Sequence, residues 1–168
     1  MEPPVLPKDL FASLETALKA EEAPFLPYLK RELKLEWLEE DSDRLGNTHF
    51  ELDHHDLYKR RRLRVSPGCV TIGLNPVLVE DQLLYRHTLI HELLHAAGLV
   101  DHSERHRELV AKLAPAPSLA DSPTLQRLRD KTLRESDVKE WECGECGFVS
   151  KRRTIRRPGR CPQCAHQT

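Results

Sequence analysis

The chain has 168 residues, with 26 Lys or Arg against 27 Asp or Glu and a formal net charge of −1. That length suffices for one domain with a sizeable core plus a small appendage, and the charge balance excludes both a globally disordered chain and one that binds polyanions by net charge. No apolar run approaches the ~20 residues needed to span a bilayer. The start, Met1-Glu2-Pro3-Pro4, lacks the basic and apolar parts of a signal peptide. The expectation is a cytoplasmic, monomeric protein without membrane contact, nucleoid-associated if bacterial.

Taken in chain order, residues 8–20 place Leu10, Phe11, Leu14, Ala17 and Leu18 at helical spacing and predict a first helix. Residues 24–31 predict a second. Leu33, Leu35 and Trp37 alternate with Lys34 and Glu36, which predicts a strand with one apolar face. A turn is expected at residues 41–43 and a second strand at 48–52. His54 and His55 lie in a polar stretch and read as exposed loop residues. Ser66-Pro67-Gly68 is a turn signal that introduces a third strand at residues 70–74, ended by Asn75-Pro76.

From about residue 80 to 99 the pattern becomes helical and leaves few polar positions, as a buried helix requires. Gly98 is its expected terminator. Another helix is expected from His102 or Ser103 to Leu113. Ala114-Pro115-Ala116-Pro117-Ser118 cannot continue it. The expected organisation is a catalytic domain at 1–118, a linker with a short helix at 119–138 and a cysteine segment at 139–168. The fold class is α+β, a small antiparallel or mixed sheet packed on helices.

Four of the nine histidines fall within sixteen residues: His91, His95, His102 and His106. His91 and His95 are spaced i and i+4 around Glu92, so both imidazoles share one helix face and can grip one metal ion. Glu92 then projects beside the metal, where it can take a proton from water; this is the H-E-x-x-H pattern of zinc hydrolases. A chance occurrence on a core helix would bury two imidazoles and a carboxylate without partners, at considerable cost.

A third ligand is required, and three residues can supply it. Asp101 completes a metzincin-like H-E-x-x-H-x-x-G-x-x-D spacing. His102 follows it and is chemically the better zinc ligand, and His106 lies one helical turn further on. Spacing alone does not choose. His87, one turn before His91, is assigned no ligand role. Cys69 reads as a small, buried residue.

Cys143, Cys146, Cys161 and Cys164 form C-x2-C-x14-C-x2-C, the pattern of a structural zinc ribbon. Local disulfides are the competing reading, disfavoured in a cytoplasmic chain. The segment is too short for its own apolar core, so zinc would supply most of its stability. Its loop carries Lys151, Arg152, Arg153, Arg156, Arg157 and Arg160 without an acidic residue, which invites phosphate contacts. Trp141 can stack on a base or pack beneath the ribbon. A second basic run, Lys59-Arg60-Arg61-Arg62 with Arg64, reads equally as a solvated positive face.

These residues together resemble the SprT-like metalloproteases, the family that includes Spartan. The likeness rests on Leu45-Gly46, on Ile72-Gly73-Leu74-Asn75-Pro76, and on Thr88-Leu89-Ile90-His91-Glu92-Leu93-Leu94-His95-Ala96. It continues through His102-Ser103-Glu104-Arg105-His106-Arg107-Glu108-Leu109 and closes with the ribbon. In that family the third ligand is a histidine that opens a helix, followed by glycine and, further on, an aromatic residue. His102 takes the ligand's place, with Ser103 for the glycine and His106 for the aromatic.

The resemblance implies a zincin-like fold, a catalytic and a structural Zn2+, and a protease that acts on DNA-bound or DNA-crosslinked proteins. DNA, single- or double-stranded, is the implied partner beside the protein substrate. A nucleic-acid-binding zinc protein without turnover and a DNA-independent regulatory peptidase are the competing readings.

Overall fold

Two apolar stretches, around Leu33 and at Val70, meet as neighbouring strands in the computed structural model, which describes residues 2–167. The chain divides into two compact units, residues 1–117 and 118–168. The segment at 119–138, with its short helix, falls in the second unit.

In the first unit, α1 (Lys8–Ala17) and α2 (Leu26–Glu32) precede β1 (Leu33–Trp37). Strand β2 is Gly46–Phe50, two residues earlier than expected, and β3 is Val70–Leu74, as expected. The sheet is mixed, in the order β1-β3-β2. β1 runs parallel to β3 with Leu35 opposite Ile72, and β2 runs antiparallel with Thr48 opposite Ile72. The fully buried Val70, Ile72 and Leu74 explain why the central strand is the most apolar of the three.

Asn75 fixes the loop that enters β2. Its buried side-chain amide donates to the carbonyls of Ser42 and Arg44, both at 3.1 Å, and its Oδ1 accepts from the Val77 N–H at 3.0 Å. A 3-10 turn, Pro76–Glu80, then leads into helix α4 (Gln82–Ala97). Asp81 caps α4 by accepting from the Leu84 N–H. Gly98, at φ 117°, ends it in the left-handed region, and the Leu99 N–H returns to the Leu94 carbonyl. Leu89, Ile90, Leu93 and Leu94 have no solvent exposure. Each such side chain contributes about 1.5–3 kcal/mol of burial, which anchors α4 against the sheet.

One element departs from expectation. His54 and His55 are exposed, but they open a helix, α3 (His54–Leu63), instead of lying in a loop. Asp53 caps it by accepting from the Asp56 N–H at 2.8 Å, and Arg64 closes it with φ 54°. Leu57 is its one buried residue, so no apolar stripe announced it. Helix α5 (Glu104–Leu113) begins after Ser103, whose hydroxyl accepts from the His106 N–H.

The second unit contains α6 (Pro123–Glu135), capped by Ser122, and an antiparallel hairpin of β4 (Glu140–Glu142) and β5 (Val149–Lys151). Among the described residues, no helix is long and apolar enough to cross a membrane.

Candidate metal centres

Helix α4 presents His91 and His95 on one face, and the loop after Gly98 returns His102 to them. The three Nε2 atoms form a triangle with edges of 3.1 Å (His91–His102), 3.3 Å (His91–His95) and 3.2 Å (His95–His102). Nitrogens bound tetrahedrally at about 2.0–2.1 Å from zinc lie about 3.3–3.4 Å apart, so the triangle has the dimensions of a ligand set. His95 Nδ1 lies 2.7 Å from the Leu99 carbonyl and must donate to it, which leaves the Nε2 lone pair free for a cation. Burial, followed by the neighbouring His106, His95 and His102, lowers the His91 pKa to about 4, so this imidazole is neutral at pH 7. Burial lowers that of His95 as well. These residues can hold a metal ion.

The other two candidate ligands lie close by but do not join this group. Asp101 faces Tyr58, whose hydroxyl donates to its carboxylate at 3.3 and 3.4 Å. His106 is fully buried, stacked on His95 with ring centroids 4.3 Å apart, and its Nε2 donates to the His91 carbonyl at 3.2 Å. Ser103 explains the division: it starts α5, so His102 stays on the loop while His106 turns inward in the first helical turn. His87 is engaged with the Ala114 carbonyl at 2.8 Å, and Cys69 is half-buried outside both metal-ligand clusters.

Glu92 shares a cleft of about 530 Å³ with the three histidines, and residues of β2 and α3 line it too. Thr48 Oγ1 lies 2.7 Å from its carboxylate and 3.0 Å from its backbone carbonyl, so one hydroxyl serves both in turn. Burial raises the Glu92 pKa, partly opposed by the Thr48 hydrogen bond and by His102 and Arg44. A raised pKa in a cleft suits a group that must accept a proton and then release it. Thr48 and Tyr58 contribute to this cleft without any signal in the sequence pattern, and Gly46, quoted above only for the family likeness, lines it as well. Gly46 has no side chain because one would collide with Glu92 Cγ at 3.0 Å.

The cysteine segment is built from two similar knuckles. The Gly147 N–H donates to the Cys143 carbonyl and the Ala165 N–H to the Cys161 carbonyl, both at 2.9 Å. Gly147 and Ala165 both have positive φ, at 67° and 57°. Each knuckle thus turns its second cysteine back toward its first. The four sulfurs lie within 4.8 Å of one another, with Cys143–Cys164 and Cys146–Cys161 at 3.7 Å. Tetrahedral thiolates at about 2.3 Å from zinc would be about 3.8 Å apart, so this set also fits a metal. Backbone N–H groups aimed at sulfur, that of Cys164 first, lower the Cys161 thiol to about 6. All four cysteines are free thiols.

In the ribbon loop, Lys151, Arg153, Arg156, Arg157 and Arg160 are exposed. Arg152 is employed internally: it donates to the Ser136 hydroxyl and to the carbonyls of Thr154 (3.1 Å) and Ile155 (2.7 Å), and it lies over the Trp141 ring. Trp141 is half-buried, with its Nε1 enclosed and Arg152 over its ring. Comparison with family models, curated proteins and solved structures found nothing that matches this chain.

Proposed function

We propose that the chain is a zinc-dependent endopeptidase, associated with nucleic acid and acting on DNA-bound or DNA-crosslinked proteins. The observation that carries the reading is the convergence of three Nε2 atoms at 3.1–3.3 Å in one open cleft with a buried carboxylate. Zinc held by His91, His95 and His102 would act as a Lewis acid, polarising a carbonyl and lowering the pKa of water to about 7.

Glu92 is the general base. Its carboxylate takes the proton of the attacking water and hands it to the departing amine nitrogen. Thr48 holds that carboxylate in place by its hydroxyl. Strand β2 is an edge strand along the cleft, and its outer side is free of strand partners among the described residues. The four cysteines hold a structural zinc. The exposed cations Lys151, Arg153, Arg156, Arg157 and Arg160 contact phosphates, while Arg152 keeps their loop in shape. The resemblance to the SprT-like family points in the same direction.

The test is a proteolysis assay on a DNA-bound protein, with and without single-stranded DNA, comparing the native chain with Glu92→Gln. Cleavage that DNA stimulates and that Glu92→Gln abolishes supports the proposal. Cleavage indifferent to DNA would identify a regulatory peptidase. DNA affinity with no turnover under either condition would identify a binding protein.

A further inference from the structure

Helix α3 makes two polar contacts with the loop that joins α4 to α5. Tyr58 donates its hydroxyl to Asp101, immediately before His102. Arg61, on the next turn, donates Nε–H to the Gly98 carbonyl at 2.6 Å. Between these two points lies Leu99, whose carbonyl receives the Nδ1–H of His95. One short loop therefore carries both the acceptor that orients the second ligand and the residue that supplies the third. His102 is exposed, and among the described residues its ring has no hydrogen-bonding neighbour other than His91 and His95. Its position depends on the backbone beneath it.

We infer that Tyr58 and Arg61 are positioning residues that pre-organise the metal site by clamping the 98–101 backbone against α3. The inference rests on the reading of His91, His95 and His102 as ligands. Without the clamp, binding a metal would first have to order the loop, and affinity falls by that ordering cost. Hydrogen-bond partners lying behind metal ligands are worth about 10–100-fold in affinity when removed. Arg62 is a built-in control, because it sits on the same helix with its side chain exposed and, among the described residues, makes no contact with the 98–101 loop. It differs from Arg61 in what it touches rather than in charge.

The experiment uses the full chain preloaded with one equivalent of zinc to fill the cysteine site, then titrated with cobalt(II). The visible absorption of four-coordinate cobalt on nitrogen and oxygen donors reports the histidine site. Thiolate-to-cobalt absorption in the near ultraviolet reports any leakage into the ribbon. Arg61→Met, and Tyr58→Phe with it, should weaken cobalt binding about 10–100-fold. Arg61→Lys, which retains a donor, should recover part of the loss, and Arg62→Met should bind as the native chain does. Melting of the metal-free variants separates loss of fold from loss of pre-organisation, and Tyr58→Phe alone, at an exposed side chain, keeps the test available if Arg61→Met does not fold. Native affinity in Tyr58→Phe/Arg61→Met, or an equal loss in Arg62→Met, overturns the clamp. Failure of His95→Ala to lower affinity would instead overturn the ligand assignment on which the clamp rests.

Discussion

Gly46 offers a sharp test of how closely the proposed general base, Glu92, is held. A Cβ at this position would lie 2.8 Å from Thr88 Cγ2, 3.0 Å from Glu92 Cγ and 3.1 Å from Glu92 Oε1. Carbon atoms settle at about 3.5–4.0 Å, so Gly46→Ala requires displacements of about 0.5–1 Å. The neighbours are two side chains of α4, a helix fixed by its buried leucines, so the carboxylate is the part free to give. Overpacking of this kind costs about 1–3 kcal/mol of stability. A misplacement of about 1 Å at a catalytic group costs on the order of 100-fold in rate. Gly46→Ala should therefore lower kcat roughly 100-fold while the histidine site keeps its zinc, with steady-state proteolysis and elemental analysis read on the same sample. Adding Thr88→Ser removes the Cγ2 collision but leaves the one with Glu92. The double variant should regain melting temperature and stay slow. Native kcat in Gly46→Ala, or full recovery of kcat on adding Thr88→Ser, would refute the reasoning.

Three further outcomes are expected. Thr48→Val removes the hydroxyl that favours the Glu92 carboxylate; burial already raises this pKa, so the proton acceptor is lost as pH falls through the raised value. The acid limb of the kcat/KM profile should move to higher pH in the variant, and an unmoved limb would deny Thr48 this role. Cys161→Ser should release about one zinc per chain and unfold the ribbon, seen as loss of the thiolate–metal absorption, while His95→Ala releases the other; a single shared loss in both variants would contradict two independent sites. Replacing Arg153, Arg156 and Arg157 by Gln should weaken binding to single-stranded DNA and reduce the slope of log K against log salt by about 2, at about 0.7 per phosphate contact, whereas an unchanged slope removes the loop from the interface.

The central strand, the α4 helix and its Gly98 stop were legible because a long apolar period closed by a glycine leaves few alternatives. The two knuckles were legible because paired cysteines fix their own geometry. Helix α3 was not, since one buried leucine gives no amphipathic period, and its signal was the cap: Asp53 three residues before Asp56. The third ligand stayed open among Asp101, His102 and His106 because all three lie within reach along the chain. The structure groups His102 with His91 and His95, and Ser103 accounts for this by starting α5 and sending His102 and His106 in different directions. Arg152 read as one more phosphate-binding cation of a basic loop and Trp141 as open between stacking and packing; their mutual contact and the enclosed Trp141 Nε1 come only from the folded ribbon.

The central claim is that Glu92 works as a base beside a metal held by His91, His95 and His102. The most direct measurement pairs zinc content with turnover in Glu92→Gln on a protein substrate. A loss of about 10²–10⁴-fold or more in kcat with both zinc ions retained is the predicted result. Native turnover in Glu92→Gln, or no zinc-dependent turnover in the native chain with either single- or double-stranded DNA present, would contradict it.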